Sequence, residues 1–185
     1  MIFFPWDEVN ALENKAEEAL KQAHTDDFKR RVDIFIDEVE ELLEMDYVLG
    51  TQDAAQQLGL SITADYGDIR NAIDKKIDGK DYKERISEYF ENGTPYDIAR
   101  VISTDAHRVY NEAVYEAAKS AGATSKTWNC LMLPTSRDTH IYLNGTTVPI
   151  DAEFYNYRGE STMYPGQWGI ADQDCNCLCW LKYSK

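Results

Sequence analysis

Residues 94–122, TPYDIARVISTDAHRVYNEAVYEAAKSAG, decide the fold class. Thr94 and Pro95 open a helix, because the threonine oxygen takes an orphan N–H and proline has none to lose. Ile98, Val101, Ile102, Val109, Ala113 and Ala117 then recur at helical spacing until Gly122. Beyond Gly122, glycine, proline, asparagine and threonine become frequent and the helical period disappears. Everything upstream reads as helix. The expected class is therefore α+β, a mostly helical N-terminal part followed by a small antiparallel β-rich C-terminal unit.

Upstream, Pro5, Asp7 and Glu8 suit a helix start, and Val9, Leu12, Ala16 and Leu20 give residues 5–22 an apolar stripe. Thr25-Asp26-Asp27 is a second start signal. From it Phe28, Val32, Phe35, Val39 and Leu42 keep one face, widened by Ile36 and Leu43. The pattern runs on through Tyr47, Val48, Ala54, Ala55 and Leu58 to Gly59, a natural C-cap. Gly50 within it either ends a helix or admits a close neighbour. Two further helices are expected over 65–78 (Ile69, Ala72, Ile73, Ile77) and 81–91 (Tyr82, Ile86, Tyr89, Phe90), the latter stopped by Asn92-Gly93. Downstream, Ile141-Tyr142-Leu143 and Thr146-Thr147-Val148 flank Asn144-Gly145, which predicts a β-hairpin. A last strand is expected over Leu178–Tyr183. Three segments follow: an acidic helical extension over 1–60, a helical part over 61–122, and a Cys/His-bearing β unit over 123–185.

The chain has 185 residues, a net charge of −14 and a hydrophobic content of 43%, enough to fill a core. Residues 1–94 carry 11 Lys/Arg against 23 Asp/Glu, a net of −12, and residues 95–185 carry 8 against 10, a net of −2. The acidic front repels phosphate backbones, so a role in DNA contact is not supported by charge. No apolar run approaches the roughly 20 residues of a membrane span. Met1 to Trp6 lacks a basic n-region and is not expected to be a signal peptide, which points to a protein working in the cytoplasm. Free thiols or metal ligands are then expected rather than disulfides.

All four cysteines lie between Trp128 and Trp180. Strand alternation in Cys175-x-Cys177-x-Cys179 would place three sulfurs on one face, where Cys177 and Cys179 share a metal ion with Cys130 and His140. Zinc takes about four such N/S ligands, and these are the only set of that kind in the chain. The same cluster also reads as packed structural thiols, or as a nucleophilic Cys177 or Cys179 with His140 as base and Asp138 orienting it. Arg137 and Asp138 read as a polar network pinning the hairpin. There is no phosphate-cradling glycine loop, His-Glu-x-x-His helix or Gly-x-Ser-x-Gly elbow.

Taken in order, the marks resemble the phage Mu F-like minor head protein (head morphogenesis) family. The resemblance is carried by Trp128 followed by Arg137-Asp138-Thr139-His140, then Leu143-Asn144-Gly145, Val148-Pro149, Phe154, Met163-Tyr164-Pro165-Gly166 and Asn176-Cys177-Leu178-Cys179. Ala99-Arg100, Ser103-Thr104-Asp105, Arg108 to Glu112, and Tyr47 to Leu58 extend it upstream. Leu133, Thr135 and Leu178 depart from charged positions of that family, and Cys130 and Cys175 are additions to it. The resemblance implies a structural signature of Trp128, Arg137, Asp138, His140, Gly145, Pro165, Gly166 and Asn176. It implies a non-enzymatic virion component, made in the host cytoplasm, that binds portal, major capsid or scaffold protein and acts in procapsid assembly or DNA packaging and ejection. Relatives carry toxin domains further on, and the end at Lys185 predicts none here. The rival readings are a small toxin-like effector or enzyme using the His140 and cysteine cluster, and a zinc-stabilised binding module.

Overall fold

The computed structural model describes residues 6–21, 28–59 and 61–185. Its elements are α1 (Trp6–Lys21), α2 (Phe28–Leu58), α3 (Tyr66–Ile73), α4 (Tyr82–Asn92) and α5 (Pro95–Ser120), then β1 (Ser125–Asn129), α6 (Asp138–Leu143), β2 (Thr147–Pro149), β3 (Phe154–Tyr155), β4 (Ser161–Thr162), α7 (Ala171–Asp174) and β5 (Trp180–Ser184). The fold is α+β, with helices first and a small antiparallel sheet near the C-terminus. Pro5 and the Thr25-Asp26-Asp27 start signal lie outside the described residues.

Helix α5 is the axis of the molecule. Thr94 and Asp97 form a capping box at its start, each side chain taking the other's backbone N–H. Most of its residues between Ile98 and Ala118 are buried all round, as a helix enclosed by neighbours must be. Its first half packs with α1 to α4 in one core, containing Phe35, Val39, Leu43, Tyr82, Ile86, Phe90, Ile98 and Ile102. Its second half joins a separate cluster with Trp128, Leu143, Phe154, Tyr164, Cys177, Cys179 and Leu181.

Helix α2 runs unbroken through Gly50 and lies along α5. A Cβ at Gly50 would sit 2.5 Å from the Tyr110 carbonyl oxygen and 2.9 Å from the Ala113 Cβ. The glycine is therefore there for close approach, not as a helix end. Leu12 and Ala16 of α1 are buried in the first core. α3 stops at Ile73, shorter than expected, and Ile77 instead closes a small bridge to Lys80.

The predicted hairpin around Asn144-Gly145 does not form. Ile141, Tyr142 and Leu143 belong to α6, whose buried His140 and Leu143 are one helical turn apart. The segment after Gly145 pairs instead with β1, in the register Ser125↔Pro149, Lys126↔Val148 and Thr127↔Thr147. β1 was not foreseen, yet it is the central strand of the order β2-β1-β5. It wins because it presents Lys126 and Trp128 inward along a partner of full length, β5, from Ser125↔Ser184 to Asn129↔Trp180. The last strand begins at Trp180, not Leu178.

Candidate metal centre

Three elements converge at the open end of the β1–β5 ladder. α6 delivers His140, and the turn that follows α7 delivers Cys177 and Cys179 just before β5. His140 Nδ1 lies 3.6 Å from the Cys177 sulfur and 3.5 Å from the Cys179 sulfur. All three side chains are buried, and their donor atoms lie within 4.8 Å of one another, so the group could hold a metal ion. All four cysteines of the chain are unbridged.

The imidazole is held by aromatic faces. Trp168 stacks on it at 5.9 Å with 15° between the planes, and Trp128 meets it edge-on at 5.7 Å. Trp128, fully buried, also packs against Phe154 at 5.3 Å. Cys177 is pushed well below the ordinary thiol range by the hydrogen bond from Cys179, with His140 and His107 adding to the effect against burial. Cys179 moves up by donating that bond and by burial. The Cys179 backbone N–H also points at the Cys177 sulfur, at 3.5 Å.

Sequence reasoning missed His107. It sits in the buried middle of α5, and it hydrogen-bonds the Cys179 backbone and feels the charge of Cys177. Burial holds its pKa below the usual histidine value. Asn111 Nδ2 bonds its carbonyl at 2.9 Å. Its only local mark is a histidine on an otherwise buried helix face, and its partner is about 70 residues away in sequence.

The other signature residues serve packing. Arg137 donates to the carbonyls of Asp172 and Cys175, so it pins the α7 turn, not a hairpin. Asp138 opens α6, and among the described residues no hydrogen bond joins it to His140. Cys177 and Cys179 thus meet His140 without Asp138. Gly145 donates its N–H to the Trp128 carbonyl at 2.8 Å. Pro165 and Gly166 are buried, and a Cβ at Gly166 would meet the Arg108 Cα at 2.9 Å. Asn176 adopts φ 54°, which breaks strand alternation, so the three sulfurs of Cys175, Cys177 and Cys179 do not share a face. Cys175 instead rims a second cavity.

That cavity is a cleft of about 460 Å³ between α4, α5 and the α7 turn, lined by Lys80, Arg85, Glu88, Tyr89, Arg100 and Cys175 among others. Arg85 pairs with the buried Asp105 at 2.6 Å, and Lys80 pairs with Glu88. Arg100 lies over the Tyr89 ring at 6.0 Å.

No family model matches the chain, and no solved structure matches it. The chain is 28% identical to the NAD(+)–arginine ADP-ribosyltransferase EFV of Enterococcus faecalis (strain ATCC 700802 / V583), across 70% of this chain and 34% of that protein. It thus spans about a third of the length of the curated relative it matches. This likeness corrects the head-morphogenesis resemblance, since it is to a transferase and nothing in the comparisons points to a phage head protein. The expectation of a non-enzymatic virion component with capsid-assembly duties falls with it. The tryptophan and glycine of that resemblance meet packing needs, Trp128 in the second core and Gly166 against Arg108. No described helix is long and apolar enough to cross a membrane, and virion localisation has no support.

Proposed function

We propose that the chain is a portion of a toxin-like effector enzyme that transfers ADP-ribosyl groups from NAD(+), with a zinc ion held by His140, Cys177 and Cys179 as its structural cofactor. The observation that carries this is the similarity to an NAD(+)–arginine ADP-ribosyltransferase over 70% of the chain. ADP-ribosyl transfer to an arginine breaks the bond between ribose and nicotinamide, forms a bond from ribose to a guanidinium nitrogen, and releases nicotinamide and a proton. Such a substrate needs cations for its pyrophosphate and an aromatic ring for a base. The cleft brings Lys80, Arg85 and Arg100 beside Tyr89 in about 460 Å³, each cation also paired with a carboxylate, Glu88, Asp105 and Asp97 in turn. The buried thiols do not face it. Chemistry therefore belongs to the cleft and metal to the centre.

The experiment incubates the zinc-replete chain with NAD(+) and free arginine and measures nicotinamide release. Release is expected, with Arg100→Ala weakening the apparent affinity for NAD(+) about tenfold through loss of a charge-assisted contact. A folded chain that neither binds NAD(+) nor releases nicotinamide defeats the transferase reading. A second reading, a zinc-stabilised binding module within a larger effector, is favoured by the burial of the centre. It predicts zinc without turnover.

A further inference from the structure

Resting on the reading that His140, Cys177 and Cys179 hold zinc, we propose that Cys130 is the fourth ligand. The site is then a closed centre of three thiolates and one imidazole that clamps the end of the β1–β5 ladder to α6.

Register is the first argument. The last paired residues of the ladder are Asn129 and Trp180. One step further sets Cys130 opposite Cys179, and directly opposed residues in antiparallel strands have Cβ atoms about 4.5–5.5 Å apart. The faces agree. Lys126, Trp128 and Cys130 point inward on one side, and Tyr183, Leu181 and Cys179 on the other, all buried. Cys130 is anchored there by its backbone N–H, which donates to the Asn144 side-chain oxygen at 2.9 Å.

Space and contacts agree with register. Cys130, His140, Cys177 and Cys179 all line one cavity of about 30 Å³, about the room a single small ion or water occupies. Cys130 hydrogen-bonds Cys179 through its side chain. It stands one step outside the tight group of three.

Two edges of the tight group match a tetrahedral site. With Zn–S of about 2.3 Å and Zn–N of about 2.0–2.1 Å, a tetrahedral S–Zn–N angle gives an S···N edge of about 3.5 Å. The two measured edges are 3.6 and 3.5 Å. Soft sulfur and imidazole donors in this geometry select zinc over hard cations. Cys175 is excluded, because its carbonyl is held by Arg137 and it lines the cleft on the other side of the turn. The distinction matters chemically. Three protein ligands leave a fourth position for water and a catalytic metal, whereas four close the site and make it structural.

The test counts sulfur. X-ray absorption on the intact zinc-loaded chain should report three sulfurs and one nitrogen, and two sulfurs with an added oxygen would overturn the role of Cys130. In parallel, the chain is loaded with cobalt(II). Cys130→Ser should lower the thiolate-to-cobalt charge-transfer intensity by about a third and weaken the metal about tenfold or more, while Cys175→Ser changes neither. An unchanged spectrum and affinity in Cys130→Ser would sink the fourth-ligand proposal and leave the three-residue reading standing. A wild-type chain with far less than one zinc equivalent would sink both.

Discussion

The two halves of the molecule solve the problem of a core in different ways. The front, α1 to α4 with the first half of α5, buries contiguous aliphatic and aromatic faces at helical spacing, with few buried charges among them, chiefly Asp46, Asp105 and Arg108. The back has only short strands, β2 to β4 being two or three residues each. It compensates with a buried tryptophan, buried thiols and inward-facing polar groups such as Lys126, Thr139, His140 and Gln173. Local periodicity suffices for the first kind of core. The second kind depends on specific polar contacts, so the two should fail under different perturbations.

The hinge between them is Arg108, and its removal should have the largest effect. Its side chain is almost wholly buried in the middle of α5. It ion-pairs with Asp105 at 3.0 Å and donates to the carbonyls of Ala72 and Ile73 at the end of α3. Its Cα and Cβ also receive Gly166 from the back half. Arg108→Met leaves Asp105 to Arg85 alone and strips two carbonyls of their donor. Breaking such a buried network costs about 3–5 kcal/mol. Urea unfolding should show that loss. A cost below about 1 kcal/mol, the size of a surface pair, would mean that the two cores do not depend on this junction.

How much of this was visible in the chain follows the same division. Thr94 to Gly122 was legible because its capping residues, period and stop are all local. The break at Gly122 was equally plain. Ile141 to Leu143 was misread because Asn144-Gly145 is a strong hairpin signal, while the competing strand Ser125–Asn129 carries a lysine at a core position and lies fifteen or more residues away. The gathering of His140, Cys177 and Cys179 was readable as a cluster. Its geometry was not, because Asn176 turns the backbone where alternation was assumed. His107 carried only the mark of a histidine on an apolar helix face, and its role showed once α5 was packed against the cysteine turn.

Lys126 gives the next test, and it belongs to the back alone. Its ammonium lies 4.6 Å from the Tyr115 ring centre and 5.5 Å from that of Phe154, with Met163 sulfur at 3.9 Å. Burial lowers its pKa to about 8, with Asp151 opposing and Lys119 adding to the shift. Below pH 8 the folded and unfolded chains both carry the proton, so the fold bears the full cost of the buried charge. Between about 8 and the ordinary lysine value of 10.5 the folded state alone releases it, and stability rises with pH. Lys126→Met should therefore stabilise the protein by about 2 kcal/mol at neutral pH, the ring attraction offsetting part of the shift. That gain should shrink toward zero by pH 10.5 in paired thermal melts. A gain independent of pH would show that the lysine is not charged where it sits.

The front half has the opposite dependence, and a smaller one. Glu40 of α2 accepts from Tyr82 at 2.6 Å and pairs with Arg70 and Lys83, tying α3 and α4 to α2. Burial works against its charge, but the bonds from Lys83, Tyr82 and Arg70 win and lower its pKa to about 2. A depressed carboxylate stabilises the fold above its unfolded value, and that stability is lost as pH falls from about 4.5 to 2. Glu40→Gln should flatten this acid limb. The partners Arg70 and Lys83 are partly exposed, so solvent screening discounts the effect to about 1 kcal/mol. Hydrogen exchange at pH 3 separates the halves. The variant should lose protection difference in α2 to α4 and leave β1 and β5 as they were, because the charges that Glu40 meets all lie on α3 and α4.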